Sequence, residues 1–212
     1  WLLPTLRRAP DPLRFPWALV LTTLVFLAAL YPLMATRAKI EDRWNPAAPR
    51  TLDGMAYMPA VEIGDGEAFS LSGDYHALRW LQDNVEGNPV VLEALGWREY
   101  LWGNRVSVYT GLPSVVGWSW HQRQQRPPEA DEVLKRHLDV REMYDTTSPA
   151  RAAELLEHYR VDLIMVGGLE RAFYSPAGLA KFEWMADSGY LEVVYSRYDT
   201  TIYHVVRERV SR

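Results

Sequence analysis

Cysteine is absent from the 212-residue chain, which excludes disulfides and thiolate chemistry but leaves the compartment open. Basic charge is not in excess. The 23 Lys and Arg stand against 27 Asp and Glu, and a formal net charge of −4 argues against nucleic acid as a partner. No histidine pair has metal-ligand spacing and no HExxH pattern occurs, so no metal site is expected. The GxSxG elbow, the P-loop and the GxGxxG turn are missing as well, and no cofactor is expected. Acidic residues are too scattered to name a glycosidase-like carboxylate pair. The initiator methionine is also missing. A chain that starts at Trp1 reads as processed, truncated or part of something longer, which leaves room for catalytic residues upstream.

Charge is missing from one long stretch. Between Phe15 and Thr36 no residue is charged, and Arg14 and Arg37 bracket the run. As a helix it would span roughly 33 Å, against a hydrocarbon core of roughly 30 Å. Pro16 falls in a first turn, where its missing N–H costs nothing. Trp17 and Tyr31 lie near the two ends, at the depth that amphipathic rings favour, and Pro32 is expected to end or kink the last turn. A buried core helix of this length would carry more polar residues than Thr22 and Thr23, and a signal-peptide apolar region is shorter. Residues 15–36 are therefore read as a transmembrane helix preceded by a short membrane-proximal loop, 1–14. Arg7, Arg8 and Arg14 before the span favour that side as cytoplasmic. This places the rest of the chain outside the cytoplasm, in a protein of the cell membrane with a single pass in this chain.

After the span, residues 37–73 are rich in Pro, Gly and Asp with no sustained period, and read as an irregular connector. Regular patterns fill 74–212. Leu78, Leu81 and Val85 form one stripe of a helix over 75–86, and Val90–Ala94 reads as a short buried strand. Arg105–Tyr109 alternates and reads as a second strand. Helices are expected over 130–144, 149–159 and 176–188. Val161–Val166 is the clearest buried strand, and Leu191–Tyr195 with Thr200–Val205 form a terminal antiparallel hairpin. Helices alternating with apolar strands predict an α/β domain with a mixed sheet.

Nine tryptophans and twelve tyrosines suit core packing, membrane belts or carbohydrate surfaces alike. The densest segment is Gly117-Trp-Ser-Trp-His-Gln-Arg-Gln-Gln-Arg126. As a helix it puts Trp118, Gln122 and Arg126 on one face and His121 and Gln125 on another. Flat rings beside a fork of donors are what sugars and their phosphates require. With Trp120 in the same strip, and Glu93, Arg105 and Tyr109 at strand ends where side chains line crevices, these nine residues make the candidate substrate-binding set. The plain alternative is that the tryptophans pack and anchor an interface while Gln122–Arg126 is a solvated helix face. Gly167-Gly168 after a strand is too short a signal for phosphate binding.

Several phrases, taken in order, carry a resemblance. They are Thr51-Leu-Asp-Gly-Met-Ala-Tyr-Met58, Asn84-Val85 with Pro89-Val-Val-Leu-Glu-Ala94, and Arg105-Val-Ser-Val-Tyr-Thr-Gly-Leu-Pro113. Gly117-Trp118 with His121 and Arg126, and Val166-Gly-Gly-Leu-Glu-Arg171, complete the series. Together they resemble the C-terminal part of the large polytopic "YYY" membrane proteins, a family of uncharacterised function similar in layout to the GT-C glycosyltransferases. The tyrosine-rich motif that names the family is absent from this chain. The early external loop that carries the catalytic acid of GT-C enzymes is absent too, and the strip has Gln122 where some relatives would carry an acid after the histidine. The resemblance implies a C-terminal module that is inactive alone and binds a polyprenyl-phosphate sugar donor or its acceptor. In that role Trp118 and Trp120 would stack on sugar or isoprenoid. Arg105, Arg126 and His121 would hold phosphate or hydroxyls, and Glu93 would accept hydroxyl hydrogen bonds. The implied partners are the lipid bilayer, other transmembrane helices or membrane protein subunits, and a lipid-linked sugar. The rival expectation is a non-catalytic, membrane-anchored scaffold subunit. A third is a hydrolase built on Glu93 and His121.

Overall fold

A computed structural model describes residues 4, 10–43, 45–64, 68–96 and 99–207. Arg7 and Arg8, on which the orientation of the span leans, lie outside the described residues. The chain divides into two compact units, Trp1–Pro46 and Ala47–Arg212.

The first unit is built on helix α1 (Asp11–Arg43). It is long and apolar enough to cross a membrane, and its apolar window is unburied by the chain itself. The helix overruns the expected stop at Pro32 by eleven residues, Leu33 to Arg43. A proline removes a single backbone bond, and good helix formers follow it, with an Arg37–Glu41 pair at 2.8 Å supporting the last turns.

The second unit is α/β with a mixed sheet, as the alternation of patterns predicts. A three-ten turn (Met58–Ala60) leads into the antiparallel pair β1 (Glu62–Ile63) and β2 (Phe69–Ser70). Helix α2 (Ser72–Asn84) and strand β3 (Val90–Leu92) follow. Then come α3 (Arg105–Thr110), α4 (Ser119–Gln125), α5 (Ala130–Asp145) and α6 (Pro149–His158). Strand β4 (Val161–Val166), helices α7 (Gly168–Phe173) and α8 (Pro176–Asp187), and the hairpin β5 (Leu191–Arg197) and β6 (Thr200–Val205) complete the unit. The main sheet runs β3-β4-β6-β5, parallel between β3 and β4 and antiparallel elsewhere.

Period-two alternation sends this sheet's side chains into two cores. Leu163, Met165 and Ile202 meet α2 through Leu78 and Leu81 on one face. Ile164, Tyr203 and Val205 meet α5, α6 and α8 through Val140, Leu156 and Phe182 on the other. The Tyr144 hydroxyl, buried among them, lies 2.8 Å from the Met165 carbonyl and 3.0 Å from that of Leu92, tying α5 to both parallel strands. Ser148 and Ser175 accept from Arg151 N and Gly178 N, so their side chains cap α6 and α8 with a proline at each first turn.

Two expectations need correction. Residues 47–64 and 68–71, within the segment read as an irregular connector, belong to the packed unit. Met55, Met58 and Leu71 are buried in the α2-side core, and Gln82 Nε2 donates to the Tyr109 carbonyl while lying 3.7 Å from the Met55 sulfur. Arg105–Tyr109 is helical, not a strand. Its alternation is also compatible with one helical turn, and the Glu93 carboxylate decides between them. The carboxylate accepts from Val106 N at 2.8 Å and Ser107 N at 3.2 Å, satisfying first-turn donors that a helix leaves open.

Candidate functional site

Glu93 and Arg105, expected at a crevice, come together in the interior. Arg105 is 1% exposed and Glu93 2%. The guanidinium lies between three carboxylates, paired with Asp74, 2.8 Å from Glu170 and 3.9 Å from Glu93. Glu170 also accepts from Ala94 N and Gly167 N, each at 2.8 Å, and Asp74 accepts from the Trp102 indole. Burial alone would weaken the charge on Arg105, yet Asp74 and Glu170 hold its proton more firmly than usual. Burial pushes Glu93 up to about 7 against the pull of Arg105 and the two backbone donors. Asp74 is likewise raised by burial. This cluster ties β3, α2, α3 and the β4–α7 turn together. Neither Glu93 nor Arg105 is offered to a ligand in solution, which corrects the roles expected of them. The alternation that put Arg105 at a strand end hid its burial, and Asp74 and Glu170 gave no local signal of joining it.

Of the remaining candidates, Tyr109 and Trp118 line hollows, and Trp118 borders two of them. The first is an open groove of about 350 Å³, lined by Tyr57, Tyr100, Trp102, Tyr109 and Trp118, with Leu101 and Val108 at its edge. Its rings are fixed to one another. The Tyr57 and Tyr109 hydroxyls are 3.0 Å apart, Trp102 lies 5.8 Å from Tyr109, and the tilted Tyr100 and Trp118 rings are 4.9 Å apart. Trp118 donates its indole N–H to the Gly103 carbonyl at 3.1 Å. Burial and the Tyr109 hydroxyl together raise Tyr57 well above the ordinary phenol range, so it stays a neutral donor.

The second hollow is a cavity of about 150 Å³ lined by Leu95, Gly96, Glu99, Gly117, Trp118, Ser119 and His137. Glu99 Oε1 accepts from Trp120 N at 3.0 Å and Ser119 Oγ at 3.4 Å, and so holds the start of α4. Glu99 Oε2 and His137 Nδ1 are both buried without a hydrogen-bond partner. Burial lowers the His137 pKa and so favours the neutral imidazole, against the attraction of Glu99. Trp118, Glu99 and His137 thus bring an aromatic side chain and two polar ones, each with a buried unmatched atom, to the wall of one small cavity.

The strip is helical over Ser119–Gln125, with Trp118 and Arg126 as its two flanking residues. His121 is held by the Tyr100 hydroxyl at 2.7 Å, at the groove's edge. Gln122 is half-buried against Gly117, where its side chain occupies the space a Cβ would need. Trp120 is 53% exposed, and Gln125 and Arg126 are exposed beyond it. The structure therefore groups Tyr109, Trp118 and His121 around the groove and leaves Trp120, Gln125 and Arg126 on the open surface. Sequence reading missed Tyr57, Glu99, Tyr100, Trp102 and His137, since they come from segments that only the fold brings together. Among the described residues no cluster of three or more His, Asp or Glu is placed to hold a metal ion. A separate cleft, lined by Ser72, Gly168, Arg171, Tyr198 and Asp199, contains none of the expected residues.

No protein-family model and no curated protein matches the chain. Among solved structures, it is similar to the crystal structure of the C-terminal globular domain of an oligosaccharyltransferase from Archaeoglobus fulgidus. The two share 13% identity at a TM-score of 0.40, over 65% of this chain and 99% of that one.

Proposed function

We propose that this chain is the extracytoplasmic module of a GT-C-like membrane glycosyltransferase and grips a polyprenyl-phosphate-linked sugar without catalysing its transfer alone. The observation that carries the reading is the cavity beside Trp118, where Glu99 Oε2 and His137 Nδ1 are buried and unmatched. Sugar hydroxyls supply a donor to the carboxylate and a partner to the imidazole, while the C–H face of the ring packs on the indole. The adjoining groove, walled by Tyr57, Trp102 and Tyr109, receives the apolar part of an amphiphile. Arg126, exposed at the end of α4, stands ready for a phosphate, and a bidentate guanidinium contact would not survive replacement by lysine.

The test is calorimetric titration of the full chain in nanodiscs with a polyprenyl-phosphate sugar analogue, with melting temperature as control. Glu99→Gln is expected to weaken binding by about 1.5–3 kcal/mol, the worth of a hydrogen bond to a charged group. Arg126→Ala is expected to cost a similar amount and to flatten the salt dependence. Equal affinity in wild type and both variants overturns the reading.

The scaffold alternative is favoured by a different observation. Leu134 and Leu138, one turn apart on α5, are 39% and 55% exposed and form an apolar strip suited to another subunit. Under that reading the same titration shows no binding at all.

A further inference from the structure

The groove has an edge unlike an ordinary protein surface. Tyr100, Leu101 and Val108 are 52%, 53% and 57% exposed and border it side by side. Arg105 is the one charged residue among the described lining, and its guanidinium is turned inward onto Asp74 and Glu170. Among its described lining the groove thus presents apolar edges backed by rings with polar tips, and no charged group to solvent. Tyrosine and tryptophan rings favour the boundary between lipid and water, where one end is apolar and the other wet. An uncharged surface of this kind gains by leaving water and has no ionic group to strip of its hydration.

The chain itself says which apolar phase lies within reach. Tyr57 is part of the groove wall, and residues 44–56 are all that separate it from the end of α1. That length of chain spans at most about 50 Å. A bilayer holding α1 is therefore tethered within reach of the groove. Leu52, in the same stretch of chain, is fully exposed and adds a further apolar side chain.

We propose that Tyr100, Leu101 and Val108 seat the edge of the groove in the headgroup region of the bilayer that holds α1. The contact is an interfacial one, with side chains dipping to the acyl boundary and no segment crossing it. It stands independently of the ligand proposed above and opens the groove sideways to molecules dissolved in the membrane.

The absence of cysteine makes the test clean. Leu101→Cys and Val108→Cys each place a single thiol in the full chain, and Asp83→Cys on the exposed end of α2 serves as reference. Each variant is labelled with an environment-sensitive fluorophore and reconstituted into phosphatidylcholine vesicles. Quenching by doxyl-labelled lipid is compared with quenching by iodide equilibrated on both sides. Labels at 101 and 108 are expected to emit further to the blue and to be quenched several-fold more by the lipid, and less by iodide, than the label at 83. Equal iodide quenching at all three positions overturns the proposal. So does shielding from iodide without lipid quenching, which would assign the surface to a second copy or another protein.

Discussion

Arg105 and its three carboxylates form the most demanding arrangement of single residues in the chain. Four ionisable groups leave water together there, and their mutual attraction must offset that loss. Two of the carboxylates also accept backbone N–H groups, Glu93 at the start of α3 and Glu170 at Ala94 and Gly167, so the charges act as hubs for the main chain. The three acids exceed the one base by two charges, and Glu93 relieves one of them by holding its proton up to about pH 7. An acid that binds its proton more tightly in the folded chain makes folding take up protons. Its contribution is therefore full below the ordinary carboxylate range and is lost as pH rises through about 7. The loss is on the order of 3 kcal/mol when complete. Melting temperature of the detergent-solubilised chain is thus expected to fall between pH 5 and pH 8, and Glu93→Gln is expected to remove much of that slope. The variant also starts lower, because its amide nitrogen faces a backbone donor that the carboxylate accepted from. The informative readout is accordingly the slope, and an unchanged slope contradicts the account.

At the scale of elements, α3 depends on its neighbours. Six residues are too few for a helix to persist by propensity, so its ends must be satisfied from outside. Glu93 does this at the start, and Gly111, at a φ of +77°, ends the helix in the left-handed conformation. Just before the helix, Gly103 passes so near the chain after β3 that a Cβ there would lie 2.0 Å from the Leu95 carbonyl oxygen. Gly87, by contrast, has a φ of +77° and open space around it. Gly103→Ala is expected to destabilise by about 3 kcal/mol, since backbone must move to admit the methyl. Gly87→Ala should cost only about 1 kcal/mol, for left-handed backbone alone. Urea denaturation distinguishes them, and equal losses would mean that the close approach at Gly103 is not rigid.

For the whole molecule, both apolar cores draw, among the described residues, on those from Met55 onward. The second unit thus closes its own cores without α1. Residues 47–212 expressed alone are expected to remain soluble and to unfold in one cooperative transition. Coincident urea curves from far-ultraviolet dichroism and tryptophan fluorescence are the measure. Separate transitions, or an insoluble product, would show that the unit needs the membrane or a partner to hold its structure.

Much of this architecture is legible in the sequence because it rests on local periodicity. An uncharged run between Arg14 and Arg37 demands a helix wherever its backbone is kept from water, and the stripe of Leu78 and Leu81 at helical spacing marks α2. Apolar runs ending in glycine or polar turns mark β4 and the terminal hairpin. Arg105–Thr110 escaped this reading since Val106, Ser107 and Val108 satisfy a two-residue period as well as one helical turn. The choice fell to Glu93, which sits thirteen residues from Val106 along the chain and 2.8 Å away in space. Burial was decided the same way, as Asp74 and Glu170 meet Arg105 only once α2 and the turn after β4 flank α3. The cavity at Trp118 follows suit, with Glu99 and His137 brought to one ring by the packing of α4 on α5. Pattern along a chain reports which side of an element avoids water, and so it determined the elements. Which charges meet in the absence of water depends on distances across the fold, and those the tertiary structure alone decided.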